Sequence, residues 1–318
     1  MEIASLFKSL ADDTRTRILN LLMHHELNVN EIVSAMGMGQ SRISRHLKIL
    51  TDSGFLTSRR DGLWIFYRAA GAGRSGEMLE SLGGIFSSDR ELARDLQNLE
   101  KMLEEGVISK RRYFDAIASE WDFMKNEILG GLNLSSEIMG RVDRCGTAAD
   151  IGCGTGELLK ELAGKAGRVI GIDNSSNMLA EASRRLSDLG PAVELRLGSV
   201  EHLPMRDREA DAVVLNMVLH HVTSPAGAIA EADRVLRDGG VLVVADLDKH
   251  GDEEMRTRYN HRWLGFDRDE VRVWFGASGF SVEEEAGFPV ARGLEVVLYR
   301  AVKSAVQDRA VSNSELMP

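Results

Sequence analysis

The sequence has few cysteines and no long apolar run, and each absence excludes a class of protein. Only two cysteines, Cys145 and Cys153, occur in 318 residues, which is too few for a disulfide framework or for a zinc site closed by cysteines. No stretch approaches the roughly 18 to 20 consecutive apolar residues that span a bilayer. Acidic residues stand in the opening segment, where a secretory signal would be apolar. We therefore expect a cytoplasmic protein without a membrane partner.

The negative charge of the chain is unevenly distributed. The net charge is −10, and the apolar content of 43% is ordinary for a globular protein. Residues 1–70 nevertheless carry nine Lys or Arg against seven Asp or Glu, and residues 39–68 carry six against two. A basic segment of this kind indicates either a phosphate-binding footprint or only a solvated basic face. The length favours at least two domains.

The first seventy residues have the pattern of short helices followed by a hairpin. Apolar residues recur at three- and four-residue steps from residue 5 to residue 50, which predicts four short helices. Strand-forming residues flank Asp61-Gly62, a dipeptide that suits a tight hairpin turn. This order predicts a winged helix-turn-helix. Residues 71–84 are rich in glycine and serine and predict a loop or hinge.

A helix and an alternating segment follow. Four leucines fall on one face of the helix, which either packs on its own domain or forms a dimer or interdomain contact; they are Leu92, Leu96, Leu99 and Leu103. From about Ala148, short apolar runs alternate with helical stretches, which predicts a largely parallel sheet covered on both faces. FSVEEEA and LEVVLYRAV could add two strands. Residues 304–318 lack periodicity, so we expect a mobile tail.

The string DIGCGTGE at residues 150–157 is a candidate ligand-binding turn. It follows a predicted strand and precedes a helix, so the backbone can approach a ligand closely and the helix N-terminal amides can face it. A second predicted strand ends in Asp173, whose carboxylate can accept hydrogen bonds from both ribose hydroxyls. Either feature alone could be structural, but together they favour a nucleoside site.

Five motifs occur in order within residues 113–302: DIGCGTG, IGIDNSSNML, LGSVEHLP, DAVVLNMVLHHV and VLRDGGVLVVADL. Together they resemble the class I S-adenosylmethionine-dependent methyltransferases. The resemblance implies that S-adenosylmethionine or S-adenosylhomocysteine is bound, with the methionine part at the glycine turn, the ribose at Asp173 and the adenine at Met178 and residues 198–201. The residues it assigns to the ligand are Tyr113, Asp150, Gly152, Cys153, Gly154, Gly156, Asp173, Asn174, Met178, Ser199, Val200, Glu201 and Asn216.

The chain departs from that family in two places. Ser199 stands where many relatives have an acid that bonds the adenine amino group, so this contact is weaker or shifts to Val200 and Glu201. Asp238-Gly239-Gly240 replaces Pro-Gly-Gly, which affects only a turn. Upstream, RRYFDAIASEWD resembles the lid segment of the same enzymes, in which Tyr113 and Trp121 either cover the ligand or belong to the core.

No catalytic group is assigned from the sequence. Methyl transfer depends largely on alignment of the nucleophile with the methyl group, so few acid-base residues are required. The pair His220-His221 could supply a base, or it could serve packing at the sheet edge.

Residues 3–68 contain KSLADDTRTRILNLL, then the string QSRISRHL and the predicted wing. Together these resemble the ArsR-type family of dimeric bacterial repressors. Within QSRISRHL, Ile43 and Leu47 share one face with Leu50 and should be buried. Arg and Gln can read base edges, whereas Ser and Lys more often hold phosphates. The residues expected at DNA are Gln40, Ser41, Arg42, Ser44, Arg45, His46, Lys48, Arg59 and Arg60. A helix-turn-helix that mediates only protein contacts is the alternative.

The thiol metal site of many ArsR-type sensors is missing. Where those members have Glu-Leu-Cys-Val-Cys, this sequence has asparagine at both cysteine positions, Asn28 and Asn30. Asparagine is a poor ligand for soft metals. Adjacent His24 and His25 have no further ligands in sequence, so we expect no bound metal.

The combined pattern predicts a multidomain protein. We expect a winged helix-turn-helix at 1–70, a linker and dimer or interdomain helix at 71–110, a Rossmann-like methyltransferase fold with a mostly parallel seven-stranded sheet at 111–303, and the tail. This fusion resembles ArsR-type regulators that respond to S-adenosylhomocysteine and control methionine-cycle genes. The leading hypothesis is a homodimeric regulator that binds double-stranded operator DNA, with an adenosyl ligand as effector. The alternatives are an active methyltransferase acting on a small molecule, and a protein that does both.

Overall fold

The structure is a computed structural model that describes residues 3–71 and 73–304. The chain divides into two compact units at Ser109 and Lys110, and each is described by itself. The predicted mobile tail, residues 304–318, lies outside the described residues except for Ser304. Within the described ranges, no helix is both long and apolar enough to cross a membrane.

The first unit contains the predicted four short helices and a hairpin. The elements are α1 Ile3–Leu10, α2 Asp13–His24, β1 Leu27–Asn28, α3 Val29–Met36, α4 Gln40–Asp52, β2 Leu56–Asp61 and β3 Trp64–Ala69. The strands form an antiparallel sheet in the order β1-β3-β2. Gly62 has a φ of +58° in the hairpin turn, a conformation that glycine adopts without strain. The winged helix-turn-helix prediction is confirmed.

The glycine-rich segment after the hairpin is a helix, so the prediction of a loop at residues 71–84 was wrong. Helix α5 covers Gly73–Phe86. Leu79 and Phe86 are buried in the core of this unit. Burial of an apolar side chain is worth about 1.5 to 3 kcal/mol, which exceeds the roughly 1 kcal/mol cost of a glycine in a helix.

The long helix α6, Arg90–Ile117, uses its leucine face inside the first unit. Leu92 and Leu99 are buried in the same core. Arg17 of α2 donates from Nε to Asp95 at 2.6 Å, and the Asn20 side chain donates to the Leu92 carbonyl at 3.2 Å. Of the two alternatives for this face, packing within its own domain is therefore the observed one.

The second unit is a seven-stranded sheet with helices. Its strands are β4 Cys145–Ile151, β5 Ala166–Asp173, β6 Val193–Leu197, β7 Ala210–Asn216, β8 Leu236–Leu247, β9 Phe280–Pro289 and β10 Glu295–Lys303. Its helices are α7 Trp121–Leu129, α8 Leu134–Arg141, α9 Glu157–Leu162, α10 Ser176–Arg185, α11 Pro225–Val235, α12 Glu254–Thr257 and α13 Arg268–Ala277. The strand order is β6-β5-β4-β7-β8-β10-β9.

The topology of this sheet places a crevice at the carboxyl end of β4. Five neighbouring strands, β6, β5, β4, β7 and β8, are parallel, and β10 pairs antiparallel with both β8 and β9. The chain turns to β5 on one side of β4 and to β7 on the other, and ligands of open α/β sheets bind at such a switch point. The prediction of a mostly parallel, Rossmann-like seven-stranded sheet is confirmed.

Candidate functional site

The glycine turn connects β4 to α9 and needs its glycines for steric reasons. Gly152, Gly154 and Gly156 have φ angles of +74°, +51° and +80°, a region that other residues rarely adopt. A Cβ added to Gly152 would lie 2.5 Å from Cγ2 of Val218. The Gly152 amide donates to the Ile172 carbonyl at 2.7 Å, which fixes the turn to β5.

Asp173, the last residue of β5, holds the glycine turn from the side. Its Oδ2 accepts from the Gly154 amide at 2.9 Å, and its Oδ1 accepts from the Ser175 amide at 2.9 Å. Burial raises the pKa of Asp173, although backbone donors, including the amide of Asn174, oppose the shift. Each carboxylate oxygen has a second lone-pair direction, so the group can also accept from a vicinal diol.

Two buried oxygens near the glycine turn have no hydrogen-bond partner among the described residues. They are Oδ1 of Asp150, near the end of β4, and Oδ1 of Asn216, at the end of the adjacent β7. Burial, followed by the charge of Asp173, raises the pKa of Asp150 to about 7. An unsatisfied buried acceptor costs about 1 to 3 kcal/mol. A ligand with donor groups, and above all an ammonium group, would remove that cost.

The loop after β6 brings a carboxylate to the position where Ser199 replaces the expected acid. The Gly198 amide donates to the Asp173 carbonyl at 3.0 Å, so this loop lies beside the end of β5. The Ser199 hydroxyl donates to the Glu201 carboxylate, which also accepts from the Thr223 amide at 3.2 Å. Glu201 can thus supply the acidic contact that residue 199 lacks.

We call this arrangement the strand-end pocket. It comprises Asp150, the glycine turn at residues 152–156, Asp173, residues 198–201 and Asn216. Of the other sequence-predicted ligand residues, Met178 is buried at the start of α10, while Cys153 is buried within the turn. Burial and the carboxylates of Asp150 and Asp173 raise the pKa of the Cys153 thiol, which therefore stays protonated.

A histidine cluster lies beyond the end of β7. We give this name to His220 and His221, in a 3₁₀ turn, and His261, in the segment after α12. The ring centroids of His220 and His261 are 4.0 Å apart, and those of His221 and His261 are 4.9 Å apart. Nδ1 of His220 lies 2.6 Å from Oδ1 of Asp246. A cavity of about 20 Å³ adjoins His220 and His261 and is also lined by Met217 and Tyr259.

Helix α4 presents a polar face to solvent. Its buried face contains Ile43, Leu47 and Leu50, as the periodicity predicts. Six predicted DNA-contact residues are exposed, and we call them the reading face: Gln40, Ser41, Arg42, Ser44, Arg45 and Lys48. Arg42 also donates to the Thr14 hydroxyl at 2.9 Å.

His46 is not on the reading face, which corrects the sequence prediction. Only 9% of the residue is exposed, and Nδ1 lies 3.6 Å from Oδ1 of Asp12. Burial lowers the pKa of His46. The physical reason is helical periodicity: residue 46 follows Ile43 by three positions and therefore shares its buried face.

The two wing arginines differ. Arg59 is partly buried, donates from Nε to Oε1 of Glu26 at 2.7 Å and lies over the ring of Phe66. Arg60 is exposed, and its Nε donates to the Gly62 carbonyl at 3.1 Å. Arg60 is therefore the more accessible of the two to a phosphate.

Comparison with known families identifies both regions. Residues 12–58 match the family model described as bacterial regulatory protein, arsR family, and residues 149–244 match that described as methyltransferase domain. The chain joins an ArsR-type helix-turn-helix to a methyltransferase domain.

Similar proteins include members with and without a named activity. A protein of transposon TN4556 from Streptomyces fradiae is 49% identical over 105 residues, which cover 32% of this chain and 30% of that protein. The ubiquinone/menaquinone biosynthesis C-methyltransferase of Hahella chejuensis is 32% identical over 148 residues, 43% of this chain and 59% of that enzyme. This chain thus matches less than two thirds of the length of these curated relatives.

A structural comparison supports the fold of the second unit. A chain from the Haloferax volcanii complex that contains the Trm112 methyltransferase activator aligns with a TM-score of 0.54 at 21% identity. The alignment covers 61% of this chain and 97% of that chain. At this identity the likeness concerns the fold alone.

The segment before the methyltransferase domain contributes contacts that the sequence did not reveal. Oδ1 of Asp122 accepts from the Thr155 hydroxyl at 2.8 Å. Asp115 accepts from the hydroxyl of Ser175, and Trp121 Nε1 would lie 3.4 Å from a Cβ at Gly154. Acidic residues within the lid-like string were the available signal. The hydroxyl of Tyr113 donates to the Arg258 carbonyl at 2.9 Å, so its contact with a ligand stays a prediction.

The ArsR-type unit uses one of the two asparagines structurally. Oδ1 of Asn28 accepts from the amides of Asn30 and Glu31, and the Glu31 side chain accepts from the Asn28 amide at 2.9 Å. This is a capping box at the start of α3. The position that carries a thiol in metal-sensing members is here a helix cap.

Proposed function

We propose that this protein is a homodimeric transcriptional regulator whose methyltransferase domain binds S-adenosylhomocysteine or S-adenosylmethionine as an effector. Occupancy of the strand-end pocket would change the affinity of the reading face for operator DNA. By the resemblance of the fusion, the target genes would include those of the methionine cycle. The single observation that carries the proposal is a folded segment hydrogen-bonded beyond the end of β7, the strand that ends in Asn216. We infer that this segment closes the route by which a methyl acceptor would enter.

That segment, residues 248–266, is tied to the end of the sheet. The amides of Arg262 and Trp263 donate to the His220 carbonyl at 2.9 and 3.1 Å. The buried indole of Trp263 donates from Nε1 to the Val222 carbonyl at 2.8 Å. The His250 amide donates to the Leu264 carbonyl at 3.0 Å. Because backbone hydrogen bonds hold this segment in place, it favours a ligand that stays bound. It disfavours repeated entry and release of a methyl acceptor.

The donor and acceptor groups of the strand-end pocket support an adenosyl ligand. The partnerless oxygens of Asp150 and Asn216 suit the ammonium of the methionine part, and Asp173 suits the ribose. Glu201 and Ser199 suit the adenine amino group. The protein's part is to bind and orient the ligand, and a bound S-adenosylmethionine would supply an electrophilic methyl group.

The proposal is tested by DNA binding in the presence of each ligand. Duplexes enriched by in vitro selection on the purified protein serve as probes in fluorescence anisotropy. We expect one of the two ligands to shift DNA affinity by about 5- to 150-fold, the usual range of allosteric coupling. Asp173→Ala should bind the same duplex without a ligand response. Unchanged affinity with both ligands would reject the effector role.

An active methyltransferase is the second candidate, and the pairing of His220 with Asp246 favours it. The cavity that adjoins His220 has a volume of about 20 Å³, room for about one water molecule, so a methyl acceptor would enter only if it opened. His220 is oriented by Asp246 at 2.6 Å, as an effective general base must be. Transfer of a labelled methyl group to acceptors in a small-molecule library, lost in His220→Gln, would support this function. The same assay without turnover would favour the regulator.

A further inference from the structure

Three histidine side chains of the methyltransferase domain lie close together. Residues of the histidine cluster come from two separate segments, the 3₁₀ turn Leu219–His221 and the loop that carries His261. One ring nitrogen from each lies within 4.8 Å of the other two. Simple packing of three rings would account for their centroid distances. It would not account for two buried ring nitrogens that have no hydrogen-bond partner among the described residues.

The nitrogen atoms of His220 are assigned by its partner. Nδ1 of His220 faces Oδ1 of Asp246 at 2.6 Å, and both side chains are buried. A carboxylate in this position keeps the proton on Nδ1 and leaves Nε2 as the basic nitrogen. The same carboxylate-histidine arrangement orients imidazole ligands in zinc sites.

Two further ring nitrogens are buried without partners. They are Nε2 of His221 and Nδ1 of His261, neither of which has a hydrogen-bond partner within residues 3–71 and 73–304. The second nitrogen of His221, Nδ1, lies 3.4 Å from the Asn260 carbonyl. Because the Asn260 carbonyl can only accept, it favours a proton on Nδ1 of His221 and leaves the lone pair of Nε2 available to a metal ion.

We propose that the histidine cluster binds one divalent transition-metal ion, with Zn²⁺ as the expected ion. The ligands are Nε2 of His220, Nε2 of His221 and Nδ1 of His261. Three imidazoles with an open fourth position form a recurrent zinc set. Two of the three histidines, His220 and His261, also border the cavity lined by Met217 and Tyr259. This site reverses our expectation of no metal, which rested on the missing thiols and on the pair His24 and His25.

The required rearrangement is small. With Zn–N bonds of about 2.0 to 2.1 Å, two ligand nitrogens in a tetrahedron lie about 3.3 Å apart. The present separations, up to 4.8 Å, close to that value through side-chain rotation of His221 and His261. His220 can stay where Asp246 holds it. The proposal is compatible with a ligand-sensing domain. It excludes His220 as the general base of a methyl transfer, because Asp246 holds Nδ1 and the ion would occupy Nε2.

The test is a metal titration of the full chain after tag removal and chelator treatment. Equilibrium dialysis with Zn²⁺ should give one bound ion per chain, and Co²⁺ should give the visible absorption of a tetrahedral complex. His221→Ala and His261→Ala should each weaken Zn²⁺ binding at least tenfold. Asp246→Asn should weaken it by about 10- to 100-fold, as loss of an outer carboxylate does. The exposed His202→Ala and the pair variant His24→Ala with His25→Ala are the matched controls.

The wild-type titration decides the matter even where a variant folds poorly. No stoichiometric Zn²⁺ and no Co²⁺ spectrum in the wild-type protein overturns the site. Binding that survives His221→Ala, or that disappears in the His24 and His25 pair variant, overturns the ligand assignment. Circular dichroism of each variant establishes that a lost ion reflects a lost ligand.

Discussion

Helix α4 presents six polar side chains from one stretch of nine residues, whereas the strand-end pocket takes its polar groups from the ends of several strands. The reading face, which includes Arg45 and Lys48, is exposed, and its partners in the fold are few. Asp173 and Glu201 instead accept hydrogen bonds from neighbouring loops, and the charge of Asp173 raises the pKa of Asp150 at the carboxyl edge of a parallel sheet. One region is set by local periodicity, and the other by the meeting of distant segments.

This difference predicts how substitutions separate binding from folding. Exposed side chains without structural partners change stability by less than about 0.5 kcal/mol when truncated. Buried groups that also hold backbone amides affect both properties. Substitutions on α4 should therefore report binding alone, while those in the strand-end pocket should report binding and folding together.

The largest effect is expected for Asp173→Ala. The variant removes the proposed acceptor for two ribose hydroxyls and the observed acceptor for the Gly154 and Ser175 amides. Hydrogen bonds to a charged group are worth about 1.5 to 3 kcal/mol each. We expect adenosyl-ligand affinity to fall by about 3 kcal/mol or more, and urea unfolding to show a loss of about 1 to 2 kcal/mol. Calorimetry with S-adenosylhomocysteine measures the first quantity.

The exposed Asp188→Ala serves as the control for that experiment. It changes the same net charge in the same unit without touching the strand-end pocket. If Asp173→Ala kept wild-type ligand affinity, the assignment of the ribose to this carboxylate would be wrong. If Asp173→Ala lost ligand affinity without any loss of stability, the argument that this carboxylate both binds the ligand and holds the glycine turn would be wrong.

Arg45→Ala is expected to act on DNA binding only. A bidentate contact with a base edge is worth about 1 to 3 kcal/mol, so affinity for a selected duplex should fall by that amount. Affinity for random duplex should change much less. Lys48→Ala, also on the reading face, should weaken both duplexes equally and reduce the salt dependence of binding. Equal losses on both duplexes for Arg45→Ala would instead make Arg45 a phosphate contact.

Asp150→Asn should raise stability while it lowers ligand affinity. The pKa of Asp150 is raised from 3.8 to about 7 in the folded protein, so the wild-type protein loses stability as pH rises from about 4 to 7. The amide cannot ionise and avoids that loss. Because the pKa of the neighbouring Asp173 is also raised, the variant keeps part of this loss. We expect Asp150→Asn to be more stable than wild type by about 1 to 2 kcal/mol at pH 8 and equally stable at pH 4.

Chemical denaturation at both pH values measures this change, with S-adenosylhomocysteine binding in parallel. Opposite signs for stability and affinity would mark Asp150 as a group kept for ligand binding at the expense of the fold. A variant that is less stable than wild type at pH 8 would contradict the argument.

The elements that sequence could predict are those that local pattern determines. Strand runs, the glycine turn with Asp173 and the buried face of α4 all follow from periodicity and spacing. His46 was misplaced although the signal was present, three residues after Ile43. Helix α5 was missed because burial of Leu79 and Phe86 outweighs glycine propensity.

The histidine cluster was only half visible in sequence. His220 and His221 stood out as a pair, but His261 lies forty positions further along the chain. Asp246 likewise reaches His220 only because β7 and β8 are adjacent in the sheet. Such contacts depend on topology, and no local spacing encodes them. The same holds for the hydrogen bond that the Ser175 hydroxyl donates to Asp115.

The smallest effect is expected for the two wing arginines. Their substitutions test whether exposure alone predicts which residues contact DNA. Arg59 is already engaged by Glu26 and Phe66, so Arg59→Ala should leave the salt dependence of DNA binding nearly unchanged and cost at most about 1 kcal/mol of stability. Arg60→Ala, at the more accessible position, should reduce the slope of log affinity against log salt by about one, as loss of one phosphate contact does. Anisotropy titrations at several salt concentrations distinguish the two. A reduced slope for Arg59→Ala and none for Arg60→Ala would mean that DNA displaces Glu26 from Arg59, and that exposure alone does not define the DNA-binding surface.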